Sequence, residues 1–212
     1  MKPYNPARPL ISLHIPKCAG TGLMDVFSKL PRNRFRFLPH YPDINRNLPP
    51  DWNEPGVLIH GHFQRFKGEA IETACPGSDQ FITVLRDPFD ILISSYYYGL
   101  RKRLPWATNI SIEGYLDWWF AQPEGPLATA LPAYQATTSI DEYISGFVCI
   151  GLMERLPEFY EVLGHILNIF IAPPRIINET KYEFTSVVLR SRAEQRFAWD
   201  YALLERVRAC AG

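Results

Sequence analysis

The chain has 212 residues, 47% apolar and 21% charged, which suits one domain with a sizeable buried core. Lys plus Arg and Asp plus Glu balance at 22 each, so no global field gathers nucleic acid or anionic lipid, and an anionic ligand must be held by local charge. Four scattered cysteines (Cys18, Cys75, Cys149, Cys210) show no Cys-x-x-Cys spacing, which argues against zinc and for reduced, mostly buried thiols.

No run approaches the ~18 apolar residues of a membrane span, and Met1 to Pro9 lacks the apolar stretch of a secretory signal. The expectation is a cytoplasmic protein without a membrane span.

Leu10 to Ile15 is a short apolar run bounded by prolines and reads as a buried strand. Leu23, Val26, Phe27 and Leu30 then mark one face of a helix stopped by Pro31. The stretch from Pro31 to Pro55 is rich in Pro, Arg and Asn and reads as irregular, with a short strand over Phe35 to Leu38. Val57 to His60 predicts a strand, Gln64 to Ala74 a helix, and Phe81 to Leu85 a third clear strand.

Asp87-Pro88 opens a helix, Asp as N-cap and Pro at the first helical position, with Phe89, Ile93, Tyr96, Tyr97, Leu100 and Leu104 on its buried face and Pro105 as its end. A helix follows over Ile112 to Phe120, then a loop from Pro123 to Pro132, a last core strand over Phe147 to Ile150, and a helix from about Leu156 to Leu167. Pro173-Pro174 breaks the pattern, and Ala193 to Ala209 predicts one C-terminal helix. Strands alternate with helices, so the expected fold class is α/β with a mostly parallel sheet covered on both faces, in one domain over residues 1–212.

The most informative segment is His14-Ile-Pro-Lys17-Cys18-Ala19-Gly20-Thr21-Gly22. It joins a buried strand to a helix and aims backbone N–H groups at the helix N-terminus, where those donors and the dipole stabilise an anion. Lys17 adds a mobile cation and Thr21 a hydroxyl. The order differs from a Walker A loop, because Lys17 precedes Gly20 and no Lys-Ser or Lys-Thr pair follows to hold magnesium. The alternative is a turn whose glycines serve only backbone geometry.

Pro16-Lys-Cys-Ala-Gly-Thr21 resembles the 5'-phosphosulfate loop of sulfotransferases, in the form found in Golgi-type carbohydrate enzymes and their bacterial relatives. The resemblance implies a P-loop NTPase-like three-layer fold. It also implies 3'-phosphoadenosine 5'-phosphosulfate (PAPS) as co-substrate without a metal, and a hydroxyl-bearing acceptor, carbohydrate or small molecule. Lys17 would meet the bridging oxygen, while Thr21 and the amides of Cys18, Ala19, Gly20 and Gly22 would hold the 5'-phosphate.

A second junction follows the strand at Phe81 to Leu85. Arg86 leaves a strand's carboxyl end, and Ser94 lies about two helical turns past Asp87, so both are placed to grip one phosphate. The pair resembles the family's 3'-phosphate motif, an Arg with a Ser eight positions on. Ile91 stands where that motif often carries a basic residue. Asp87 is accounted for as an N-cap.

Transfer to a hydroxyl also needs a proton acceptor. His60-Gly61-His62 follows the strand ending near His60 and resembles the His-Gly-His element of the uronyl 2-O-sulfotransferases. That implies His62 as general base and His60 as a substrate-positioning or hydrogen-bonding partner. A carboxylate base, Glu69 or Asp25, is the runner-up. His14 reads as structural and His165 as a surface residue.

Tyr96 to Tyr98 and Trp118-Trp119 read as core more than as a platform, and Arg101 to Arg103 as a complement to the helix dipole or a contact for an anionic acceptor. Lys181, Arg190, Arg192 and Arg196 are candidates for a further nucleotide contact. A nucleotide kinase or other NTPase on the same fold, and a non-catalytic nucleotide-binding module, are the alternatives.

Overall fold

Five parallel strands form one sheet in the order β2-β3-β1-β4-β5. The computed structural model describes residues 1–41, 48–134, 137–172 and 184–211. The strands are β1 (Leu10–Leu13), β2 (Arg36–His40), β3 (Val57–Gly61), β4 (Phe81–Leu85) and β5 (Phe147–Leu152). Every residue of β1 and of β3 is buried, as expected of central strands covered on both faces. The edge strand β2 contains Pro39, which has no N–H to give and is tolerated where one side of the strand carries no ladder.

The helices are α1 (Gly20–Ser28), α2 (Ile71–Ala74), α3 (Pro88–Arg101), α4 (Pro105–Thr108), α5 (Ile112–Phe120), α6 (Ile140–Ser145), α7 (Leu156–Leu167), α8 (Val187–Arg196) and α9 (Ala198–Ala211). The P-loop-like α/β class read from the sequence holds, with all five strands parallel. A second apolar cluster, built by Phe89, Leu92, Ile93, Tyr96, Tyr115, Leu116, Trp119, Phe120 and Phe197, joins α3 and α5 to the C-terminal helices. No helix among the described residues is long and apolar enough to cross a membrane.

Several boundaries differ from the sequence reading, each for a local reason. Gln64 to Ala74 is not one helix: Gly68, at φ 78°, ends a 3-10 turn over Arg65–Lys67, and only the single turn α2 follows. Pro105 does not end α3, which stops at Arg101; it opens α4 from the first helical position.

Ala193 to Ala209 is split at Phe197, which leaves helical geometry and sits 3% exposed in the second cluster, its ring 5.9 Å from that of Phe120. The strand read at Phe35 to Leu38 is β2, shifted by one residue at its start and two at its end. Helix α6, capped by Ser139, is an element that the sequence pattern does not predict. Pro173-Pro174 and Lys181 lie outside the described residues.

Candidate functional site

Strand order brings the three chemistry-bearing loops together. β1 lies between β3 and β4, so the segment from His14 to Gly22, the His60-Gly61-His62 element and Arg86 all leave the carboxyl ends of adjacent strands. Ligands bind at this edge in open parallel sheets. His14 N donates to the Gly61 carbonyl at 2.8 Å, and Thr83 Oγ1 donates to the Leu13 carbonyl at 3.0 Å, tying the three strand ends to one another.

The loop after β1 is shaped by two non-glycine residues in the left-handed region, Lys17 at φ 69° and Ala19 at φ 58°. Such residues cost about 1–3 kcal/mol each and persist where the surroundings over-determine them. Alternation of this kind turns successive amides toward one concavity, the arrangement called a nest. The first intrahelical bond of α1 runs from Leu23 N to the Ala19 carbonyl, leaving the amides of Gly20, Thr21 and Gly22 ahead of it. Ala19 as N-cap supplies no side-chain acceptor, whereas α3, α5, α6 and α8 are each capped by an Asp or Ser side chain. The start of α1, without a side-chain cap, keeps donors that suit an external anion.

Gly20 is required by close approach, not by its backbone angles. A Cβ there would lie 1.7 Å from His14 Nε2 and 1.9 Å from Cδ2 of the same ring. That ring is held in turn: Nδ1 lies 3.1 Å from the Tyr41 hydroxyl, and the imidazole stacks on His60 at 5.0 Å between centroids and tilts against His62 at 4.5 Å. His14 thus stands at the centre of the junction, and burial, then His60, His62 and Lys17, push its pKa well below the usual value and keep the ring neutral.

His60 does not reach the cleft. It is fully buried, with Nε2 3.0 Å from the Gly20 carbonyl and Nδ1 2.9 Å from Ser12 Oγ. A carbonyl only accepts, so Nε2 carries the proton and Nδ1 accepts from the serine hydroxyl. Burial pushes the His60 pKa down to about 3, outweighing the two hydrogen bonds. Both ring nitrogens of His60 are thus engaged within the protein, with Ser12 and with the Gly20 carbonyl.

His62 is half-buried. Its amide donates to the His40 carbonyl at 3.0 Å, its ring meets the Tyr41 ring edge-on at 4.8 Å, and both ring nitrogens are shielded from solvent.

Arg86, half-buried, donates from Nη1 to the Lys17 carbonyl at 3.2 Å, so one guanidinium fixes the left-handed turn of the neighbouring loop. Lys17 Nζ lies 4.4 Å from the centroid of the Tyr98 ring on α3, and the Arg101 guanidinium lies 5.6 Å from the same centroid. Burial, then Arg101, then Arg86 lower the Lys17 pKa to about 8, the Cys18 thiol opposing slightly. Cys18 is buried, and desolvation raises its thiol to about 12, so it is a packing residue in this loop. Thr21 is exposed at the start of α1, and Ser94 is 2% exposed, two turns into α3.

Sequence reasoning weighed Tyr98 as core or platform and Arg101 as a dipole complement or acceptor contact, and missed that both meet Lys17. The signal was present: Ser94, Tyr98 and Arg101 stand at i, i+4 and i+7 along α3, one stripe of the helix.

The C-terminal basics point elsewhere. Arg190 bridges Asp87 at 2.9 Å and Asp90 at 2.6 Å, Arg192 pairs with Asp117 at 2.6 Å, and Arg196 donates to the carbonyls of Phe120 and Gln122. They fasten α8 to α3 and α5. His165, exposed, lies with Nδ1 2.9 Å from the Glu161 carbonyl late in α7, the surface position expected for it.

No protein-family model and no curated protein sequence matches the chain. Among solved structures it is similar to the sulfotransferase from Alicyclobacillus acidocaldarius, with a TM-score of 0.52 and 18% identity over 95% of this chain and 96% of that one. The two share a fold. A looser similarity, TM-score 0.43 and 12% identity, links it to mouse sulfotransferase SULT7A1 complexed with PAP; it covers 91% of this chain and 64% of that one.

Proposed function

We propose that this chain transfers the sulfuryl group of PAPS to an acceptor hydroxyl. The observation that carries the reading is the convergence of Lys17, Arg86 and the uncapped amides of Gly20, Thr21 and Gly22 at adjacent strand ends. That is a site for a phosphate-like group held by side-chain cations and backbone donors, and it lies on a fold shared with a sulfotransferase.

In the reaction the acceptor oxygen forms a bond to sulfur as the bond from sulfur to the bridging oxygen breaks, and 3'-phosphoadenosine 5'-phosphate departs. Lys17 meets the negative charge that develops on the bridging oxygen, and the amides of Gly20, Thr21 and Gly22 carry the 5'-phosphate. Arg86 and Ser94 take the 3'-phosphate. His62 accepts the acceptor's proton, which requires its ring nitrogen to be uncovered when the acceptor enters; catalytic contacts often tighten only in the complex. His60 holds the Gly20 carbonyl and through it the start of α1.

Calorimetry separates this reading from a nucleotide kinase. Micromolar binding of 3'-phosphoadenosine 5'-phosphate is expected; binding of ATP with magnesium, and none of the bisphosphate, overturns the donor. Transfer of label from sulfur-labelled PAPS across hydroxylated acceptors separates an enzyme from a non-catalytic module. On a true acceptor, His62→Ala is expected to lose about 10²- to 10⁴-fold in kcat, and an unchanged rate removes His62 as base.

A further inference from the structure

Lys17 and Arg101 share one aromatic ring, and among the described residues neither is paired with a carboxylate. We infer that Tyr98 is a positioning residue for Lys17: the face of its ring holds the ammonium inside the donor loop against the repulsion of Arg86 and Arg101. This inference rests on the donor site proposed above and adds a residue to it.

The physical problem is specific. A loop that receives a phosphosulfate needs concentrated positive charge before the donor arrives, and two guanidinium groups drive a partly buried ammonium either to lose its proton or to swing to solvent. Burial acts first on Lys17, Arg101 and Arg86 act in the same direction, and only Cys18 opposes them. A carboxylate partner would solve this by cancelling the charge and would repel the incoming donor. An aromatic face solves it without net charge, because the ring quadrupole attracts a cation yet leaves the positive potential in place.

The geometry meets that need. Lys17 Nζ is 4.4 Å from the Tyr98 centroid, within the range of such contacts. Lys17 is in the left-handed region at φ 69°, and its carbonyl is held by Arg86, so the backbone that aims its side chain is itself fixed. Tyr98 lies one turn past Ser94 on α3, so the helix that carries the proposed 3'-phosphate serine also carries the ring that holds the lysine.

The test reads Lys17 itself, in the full chain without donor. The pH midpoint for reaction of its amine with an acylating reagent, followed by mass spectrometry, is compared for wild type, Tyr98→Phe and Tyr98→Leu, with exposed Lys29 as internal control. Loss of the ring disfavours the charged form, so Tyr98→Leu is expected to lower the Lys17 midpoint by about half a unit to one unit, and Tyr98→Phe to leave it in place. Tyr98→Met serves as a second non-aromatic variant should the leucine chain not fold, as judged by its urea midpoint. In parallel, calorimetry at pH 8.5 is expected to show about three- to tenfold weaker binding of 3'-phosphoadenosine 5'-phosphate for the non-aromatic variants and no change for Tyr98→Phe.

An unmoved Lys17 midpoint in Tyr98→Leu or Tyr98→Met, or a shift of equal size in Tyr98→Phe, overturns the inference while a wild type that binds the bisphosphate keeps the donor assignment. A midpoint that shifts as expected in a protein that does not bind the bisphosphate supports the Tyr98–Lys17 contact and removes the donor assignment instead.

Discussion

Gly20→Ala pits two effects of opposite sign against each other. Helix propensity favours Ala over Gly by about 1 kcal/mol within a helix, so a glycine serving only backbone flexibility gains stability on substitution. Against that, the new Cβ falls 1.7 Å from His14 Nε2, 1.9 Å from Cδ2 and 2.1 Å from Cε1. The ring cannot simply swing aside, because it stacks on His60 and lies 3.1 Å from the Tyr41 hydroxyl. Overpacking of this kind costs about 1–3 kcal/mol, and a lost hydrogen bond about 1 kcal/mol more.

The clash therefore wins, by a net of about 1–3 kcal/mol out of a typical stability of about 5–15 kcal/mol. Urea unfolding of Gly20→Ala, His14→Ala and the double variant reads this directly. Removing the imidazole removes the three atoms nearest the new Cβ, so Gly20→Ala is expected to cost less than about 0.5 kcal/mol on the His14→Ala background, a coupling well outside the additive range. Calorimetry should show weaker binding of 3'-phosphoadenosine 5'-phosphate for Gly20→Ala alone. A single variant as stable as wild type, or costs that add in the double variant, refutes the argument that Gly20 is there for His14.

Asp200, 1% exposed on α9, accepts the amides of Leu127 at 2.8 Å and Ala128 at 3.1 Å, and burial raises its pKa from 3.8 to about 7. The folded state thus keeps a proton that the unfolded chain has released, so stability falls as pH rises from about 4 to about 7 and levels off above; the integrated loss is at most about 4 kcal/mol. Urea midpoints against pH should show this fall in wild type and its absence in Asp200→Asn, and parallel curves would remove the assignment.

His60→Ala strands the buried Ser12 hydroxyl and the Gly20 carbonyl, so a loss of about 1–3 kcal/mol in urea unfolding is expected; a neutral result would contradict the buried pair. Arg190→Ala frees Asp87 and Asp90 at the start of α3 and should cost about 1 kcal/mol, since the pair is partly exposed. Its effect should disappear in Asp87→Ala/Asp90→Ala; persistence there would show that the arginine acts by packing on Phe89 instead.

Local features were legible in the sequence because their causes are local. The strand, loop and helix from Leu10 to Ser28 follow from an apolar run, two glycines and a period of 3.6. Asp87-Pro88 caps α3 as its side-chain chemistry dictates, Asp87 Oδ1 accepting from Asp90 N at 3.0 Å. Gly68 was a readable stop within Gln64 to Ala74. The break at Phe197 was not, because no glycine or proline marks it and the gain comes from burying a ring against Phe120, far away in the chain.

The candidate site divides the same way. Residue types and spacing marked Lys17, Thr21, Arg86 and the His-Gly-His element, each beside its own strand or helix end, and Ser94, within α3, by its spacing from Arg86. Which loops meet was decided by strand order, a matter of hydrogen bonding between segments that are equally apolar on both faces and so interchangeable in the sequence. Only with β1 placed between β3 and β4 does His60 turn inward to the Gly20 carbonyl, His14 close on the glycine, and the far end of α3 carry Tyr98 and Arg101 to the ammonium of Lys17.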